Sequence, residues 1–152
     1  MISKILFYNS GGGIGDSIQI LPLLDTLKNE LKNTKFYYLS AHENHFNSTI
    51  KDFNCKLENL DLDIRYFGFR WWHIFVANKK IKNNNIENFD LIVDLQSKIR
   101  NSLVLKMIPH KFFISTSFNS ILSKPYVSIK KSKKINETIL YGINNLLKTN
   151  YT

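Results

Sequence analysis

The chain has 152 residues, 43% of them hydrophobic, and a formal net charge of +9. This length predicts one domain, and no apolar run approaches the roughly 20 residues that span a bilayer, so an integral membrane protein is not expected. The single cysteine, Cys55, excludes an internal disulfide and any multi-cysteine zinc site. The first apolar run is too short for a signal-peptide core, which favours a cytoplasmic location.

Four short, continuous apolar runs predict strands that are buried on both faces of a parallel sheet. They cover residues 5–8, 36–39, 91–93 and 112–114. Between them, apolar residues recur at helical spacing in three segments. These are Ile20, Leu24, Leu27 and Leu31; Ile99, Leu103 and Met107; and Ile139, Ile143, Leu146 and Leu147 in a last helix over residues 135–148. A further helix is predicted over residues 71–82. The alternation predicts an α/β, Rossmann-like parallel sheet with flanking helices.

Residues 8–22, YNSGGGIGDSIQILP, contain four of the six glycines beside one acid. The apolar pattern predicts a strand over residues 4–9, a glycine turn and a helix from near Asp16, which places the turn where open α/β sheets bind ligands. Asp16 stands where a dinucleotide fingerprint needs glycine, and no Gly-Lys-Ser/Thr follows as in a P-loop. A carboxylate would repel a diphosphate, so a hydroxylated ligand is expected. Asp16 is also suited to cap the helix.

The segment at residues 88–114 carries a second polar cluster at a strand end. Asp94 and Gln96 end a predicted buried strand, and Lys98 and Arg100 begin the next helix. Positive charge in a first turn opposes the helix dipole, so helix stability does not explain these basic residues. Acceptors and cations together predict a polar ligand site.

These segments, in this order, resemble the heptosyltransferase family (glycosyltransferase family 9), which builds the lipopolysaccharide inner core. Residues 13–16, with Leu21 and Pro22, resemble the family's opening signature. Residues 90–100 resemble its second signature, and FGFRWW at residues 67–72 is similar to its Arg/Trp patch.

The resemblance implies the N-terminal half of a GT-B glycosyltransferase, with residues 1–152 as a single acceptor-binding domain and the C-terminal nucleotide-sugar domain absent. It implies an inverting transfer of heptose to lipopolysaccharide core, with Asp16 as general base and no transfer by the chain alone. The implied acceptor-binding residues are Gly12, Gly13, Gly15, Arg70, Asp94, Gln96 and Arg100. No cofactor or metal is implied. The implied partners are an ADP-heptose-like nucleotide sugar, a glycolipid or saccharide acceptor and a separate donor domain.

The charge excess lies wholly in the last third of the chain. Residues 98–152 carry ten Lys/Arg against Glu137 alone, whereas residues 1–97 carry eleven of each sign. This asymmetry favours an anionic partner, such as the inner face of the inner membrane, although compositional drift in an Asn- and Ile-rich chain explains it equally well. One alternative function is a non-catalytic module that binds nucleic acid or another polyanion through this third. Another is the nucleotide-binding domain of a dehydrogenase.

Several further residues have two interpretations. His42, Glu43 and His45 follow the second strand but lack a third clear partner for a metal ion. Trp71 and Trp72 are suited either to stacking on a sugar or to packing in the core. His73 and His110 are expected to be structural.

Overall fold

Five parallel strands form one sheet in the computed structural model, which describes residues 2–11, 13–41, 44–51, 57–83, 86, 88–96, 98–126, 132 and 134–152. In chain order the strands are β1 (Lys4–Asn9), β2 (Lys35–Ser40), β3 (Glu58–Asn59), β4 (Phe89–Asp94) and β5 (His110–Ser115). The four long strands contain the four predicted apolar runs. The predicted parallel sheet is therefore confirmed.

The spatial order of the strands is β3-β2-β1-β4-β5, with β1 at the centre. From β1 the chain moves outward through β2 and β3, and it then crosses to the other side of β1 to form β4. Such a reversal leaves a crevice beyond the carboxyl ends of the two central strands. Tyr8 pairs with Asp94 in the register of β1 and β4, so the segments that follow both strands begin side by side.

Among the described residues, five α-helices flank the sheet. They are α1 (Ile14–Gln19), α2 (Leu21–Glu30), α3 (His73–Asn83), α4 (Ile99–Leu105) and α5 (Ile135–Leu147). The helix predicted after the glycine turn begins at Ile14 and is divided at Ile20, which ends α1 and precedes α2. Pro22 accounts for the division, because it lacks an N–H and is favoured in a helix's first turn.

Alternating side chains of β1 point into two separate apolar layers, as the period of a strand requires. Ile5 and Phe7 pack with residues of α2 and α5, and Leu6 and Tyr8 pack with residues of α3 and α4. All four are fully buried. The short strand β3 was not predicted, because Glu58 and Asn59 are exposed and form no apolar run.

Candidate functional site

The glycine turn lies at the crevice between β1 and β4. Gly13 is the N-cap of α1, with extended backbone angles and no side-chain cap. Asp16 lies in the first turn of α1, and its own N–H donates to the Gly13 carbonyl at 3.2 Å. Asp16 is therefore not the N-cap, which overturns that interpretation. Its side chain is exposed, so the carboxylate is accessible at the mouth of the crevice.

The absence of a side chain at Gly11 leaves room for the Asp16 carboxylate. A Cβ on Gly11 would lie 2.6 Å from Cγ of Asp16 and closer still to Oδ2, so any larger residue would displace the acid. A Cβ added to Gly13 would lie 3.7 Å from the same Oδ2, which is an ordinary contact. A Cβ added to Gly15 would have no atom within 4 Å. Gly11 thus makes room for Asp16 rather than for a ligand. Gly12 lies outside the described residues.

Asn9 joins the ends of the two central strands and was missed by the sequence analysis. It is buried, and its Oδ1 accepts from the Gly11 N–H at 2.8 Å and from Gln96 Nε2 at 2.7 Å. One carbonyl oxygen therefore fixes both the glycine turn and the predicted site residue Gln96. A polar residue that ends an apolar run is the signal that could have identified it.

Tyr38 lies on β2 and is buried. Ser17 and Asn9 hydrogen-bond to it, and burial, with a smaller effect of the Asp16 charge, raises the pKa of Tyr38. The neutral Tyr38 hydroxyl thus links β2 to Ser17 and Asn9.

Asp94 lies below the crevice and is fully buried. Its Oδ1 accepts from the Gln96 N–H at 3.0 Å, and its Oδ2 accepts from the hydroxyls of Ser102 and Ser115. Ser117 extends this hydroxyl cluster through Ser102. The structure therefore places Asp94 as a support for the segment that holds Gln96.

Burial raises the pKa of Asp94 to about 6, against hydrogen bonds from Ser102, Gln96 and Ser115 that lower it. A raised folded-state pKa means that the folded protein binds this proton more tightly than the unfolded chain does. The stability that this bound proton gives the folded protein is fully present below pH 4 and is lost as the pH rises to about 6. The difference from the ordinary value of 3.8 corresponds to about 3 kcal/mol.

Asp94→Asn is therefore expected to be as stable as the wild type at pH 4 and more stable at pH 7, by up to about 3 kcal/mol. Asparagine resembles the protonated acid, because its oxygen can accept from Gln96 and its amide can donate to the serine hydroxyls. Urea unfolding of both proteins at several pH values measures this difference. A difference that stays constant from pH 4 to pH 7 would show that Asp94 does not titrate in this range.

Arg100 is anchored beside the crevice by a tight loop between β3 and α3. Its Nε donates to the Gly68 carbonyl at 3.1 Å. Gly68 has a φ of 85°, and a Cβ there would lie 2.6 Å from the hydroxyl of Tyr8. That hydroxyl donates to the Phe67 carbonyl at 2.6 Å. Only glycine fits here, because a larger residue would be strained at this φ and would clash with the Tyr8 hydroxyl.

Arg70 belongs to this loop, which Arg100 contacts from α4. Both guanidinium groups act on the buried His73, where desolvation and then these two charges lower the pKa. His73 Nδ1 accepts from the Gly68 N–H at 3.1 Å. This histidine therefore has the structural role that the sequence analysis predicted. Arg70 itself is exposed and stacks over the ring of Trp72, 5.2 Å from its centroid. The structure thus brings Arg70 and Arg100 to one loop.

An open depression of about 410 Å³ lies beyond the end of β2. Its lining is Ser40, Ala41, Asp61, Asp63, Ile64, Arg65 and Tyr66. Carboxylates, a hydroxyl and a guanidinium are groups that hydrogen-bond to sugars. The edge of the sheet therefore offers polar surface beyond the turn itself.

Some predicted features lie outside the described residues, namely His42, Glu43, Cys55 and most of the basic segment at residues 127–133. Within the described ranges, no group of three His, Cys, Asp or Glu side chains is arranged to hold a metal ion. The described helices include none that is long and apolar enough to cross a membrane. Trp71 and Trp72 are more than half exposed, so core packing does not explain them.

No family model matches the chain, and no curated protein matches it in sequence. Solved structures do match. The chain is similar to E. coli heptosyltransferase WaaC with ADP, with a TM-score of 0.65 and 16% identity over 98% of this chain and 49% of that one. It is likewise similar to WaaC with ADP-2-deoxy-2-fluoro heptose, with a TM-score of 0.66 and 18% identity over 98% of this chain and 50% of that one.

A glycosyl transferase of family 9 from Veillonella parvula also matches, with a TM-score of 0.63 and 16% identity over 91% of this chain and 40% of that one. The chain thus spans half or less of the length of these structures. The comparison confirms a Rossmann-like fold that resembles half of a GT-B glycosyltransferase. At these identities the likeness concerns the fold.

Proposed function

We propose that the chain is the acceptor-binding half of an inverting glycosyltransferase that resembles heptosyltransferases and acts on lipopolysaccharide core. The observation that carries the proposal is the exposed Asp16 carboxylate, seated against Gly11 at the crevice between β1 and β4. The match of the fold to WaaC and to a family 9 glycosyl transferase supports it.

The groups around this carboxylate would bind the acceptor. Arg70 and Arg100 supply fixed positive charge for an acidic or phosphorylated sugar, because a guanidinium binds such oxyanions through paired N–H groups. Gln96, held by Asn9, supplies an amide beside the turn. Gly13 and Gly15 leave the entrance of α1 open to a sugar ring.

The chemistry assigned to Asp16 is general-base catalysis. A hydroxyl of the acceptor attacks the anomeric carbon of the nucleotide sugar while Asp16 takes its proton. The bond from that carbon to the diphosphate oxygen breaks, and the nucleoside diphosphate leaves with the electron pair. Attack from the opposite side inverts the anomeric configuration. A base of this kind contributes roughly 10²–10⁴-fold to the rate.

The nucleotide sugar is assigned to a separate donor-binding half. Asp16 stands where a diphosphate would meet like charge, so the glycine turn is unsuited to the nucleotide. The WaaC neighbours were solved with ADP and an ADP-heptose analogue, which supports an ADP-heptose-like donor. The chain by itself is then expected to bind acceptor without transferring sugar.

Saccharide binding tests the proposal. The probe is the soluble saccharide of a lipopolysaccharide that lacks heptose, and tryptophan fluorescence reports binding because Trp72 stacks on Arg70. We expect saturable binding that Arg70→Ala and Arg100→Ala each weaken tenfold or more, since charged hydrogen bonds contribute roughly 1.5–3 kcal/mol.

Lys32→Ala is the control, because Lys32 lies at the opposite end of the sheet and is exposed. It should leave saccharide binding unchanged. Absence of saccharide binding together with tight binding of NAD or ADP would contradict the proposal and favour a nucleotide-binding domain.

A further inference from the structure

An aromatic stripe runs along the outer face of α3 and the turn before it. Trp71 and Trp72 are each 56% exposed, and Phe75 is 77% exposed. Val76 adjoins Phe75 and is also exposed. Single exposed apolar side chains are ordinary, but four within six residues of one helix and the turn before it indicate an interaction surface.

The opposite face of α3 packs against the sheet, so the exposed stripe is not the face by which the helix joins this domain. Ala77 and Ile81 are buried in the apolar layer that contains Leu6, and His73 is buried too. The outward positions 72, 75, 76, 79 and 82 are spaced at three, four and seven residues, which places them on one side of the helix. Lys79 and Lys82 are exposed and continue the aromatic stripe.

The charge of this segment is of one sign. From Arg65 to Asn83 the sequence has five basic residues and no acidic residue. Lys80 is bound to Asp63, whereas Lys79 and Lys82 stand on the exposed side. An exposed aromatic row that continues into lysines is complementary to an anionic surface that also accepts apolar groups.

We propose that Trp71, Trp72, Phe75 and Val76, with Lys79 and Lys82, form a docking surface for an anionic lipid bilayer. Tryptophan favours the membrane interface, and a basic amphipathic helix lies in the plane of that interface with its apolar side chains inserted. Lysine is depleted at protein–protein interfaces, so a bilayer fits this composition better than a protein partner does.

This surface begins at the loop that holds Arg100. Docking there would bring the loop that holds Arg100 close to the membrane, where a lipid-linked acceptor would lie. The proposal stands on the exposure and charge of α3 and not on transfer, so its failure would leave the proposed function untouched.

Co-sedimentation with vesicles tests it directly. The probes are vesicles of phosphatidylcholine with one-third phosphatidylglycerol and vesicles of phosphatidylcholine alone. We expect binding to the anionic vesicles, weaker binding to the neutral ones and release by salt. Phe75→Ser should weaken binding roughly tenfold through lost apolar burial. Lys79→Ala should weaken it about fivefold, equivalent to about 1 kcal/mol per basic residue.

The matched controls are Tyr141→Ser and Lys32→Ala, which alter an exposed aromatic and an exposed lysine elsewhere. Both should bind as the wild type does, and circular dichroism should show every variant folded. Three results would overturn the proposal: no binding to anionic vesicles, equal binding by Phe75→Ser, or a self-associated chain that Phe75→Ser converts to monomer.

Discussion

Replacing Asp16 by asparagine is expected to lower the rate of sugar transfer by roughly 10²–10⁴-fold, because asparagine keeps the shape of the side chain but cannot take the acceptor's proton. The assay supplies ADP-heptose, heptose-free lipopolysaccharide and the donor-binding half of the enzyme, and it follows release of ADP. The free energy of unfolding should fall by no more than about 1 kcal/mol, the usual contribution of an acid in a first helical turn.

Asp25→Asn is the control for this variant, because Asp25 is an exposed acid of α2 away from the glycine turn. It should transfer at the wild-type rate. Near-normal turnover by Asp16→Asn would end the assignment of Asp16 as the base. An equal loss in both variants would instead indicate a general effect of removing charge.

Gly68→Ala is expected to destabilise the protein by roughly 3 kcal/mol. A left-handed backbone costs a non-glycine residue roughly 1–3 kcal/mol. The added Cβ would also lie 2.6 Å from the Tyr8 hydroxyl and 3.3 Å from Cα of Asn101. That clash would shift the carbonyl that holds Arg100. Urea unfolding measures the loss, and the saccharide titration should show weaker binding by the folded fraction.

Gly15→Ala provides the matched comparison for Gly68→Ala. Gly15 lies within α1, and a Cβ there meets nothing within 4 Å. Alanine is favoured over glycine in helices by up to about 1 kcal/mol, so this variant should be as stable as the wild type or slightly more so. Equal stability of the two variants would show that the Gly68 loop is not constrained as described.

The strands and most helices were predictable because burial on both faces and a single apolar helix stripe leave direct marks in the sequence. The short strand β3 leaves no such mark, since its two residues are exposed and pair only by backbone. The division between α1 and α2 at Ile20 was not predicted, because the apolar pattern continues through it and only Pro22 marks the start of a second helix.

The sequence predicted that polar residues lie at the carboxyl end of the sheet but not the contacts that each of them makes. The glycine turn identified Asp16 and a polar strand end identified Asp94 and Gln96, but the complete burial of Asp94 could not be predicted from its own segment. Asp94 is enclosed by Ser102 of α4 and Ser115 at the end of β5, which follow it by 8 and 21 residues and reach it only through the fold. The fit of Gly11 to the Asp16 carboxylate likewise depends on how α1 turns back over β1.

The assignment of the crevice as a saccharide site is tested most directly by backbone amide NMR of the chain titrated with heptose-free saccharide and, separately, with ADP. We expect the saccharide to shift the amides of Gly11, Gly13 and Asp16 and those of Gln96 and Arg100, and ADP to leave these amides unmoved. Shifts at the glycine turn with ADP and none with the saccharide would contradict the assignment.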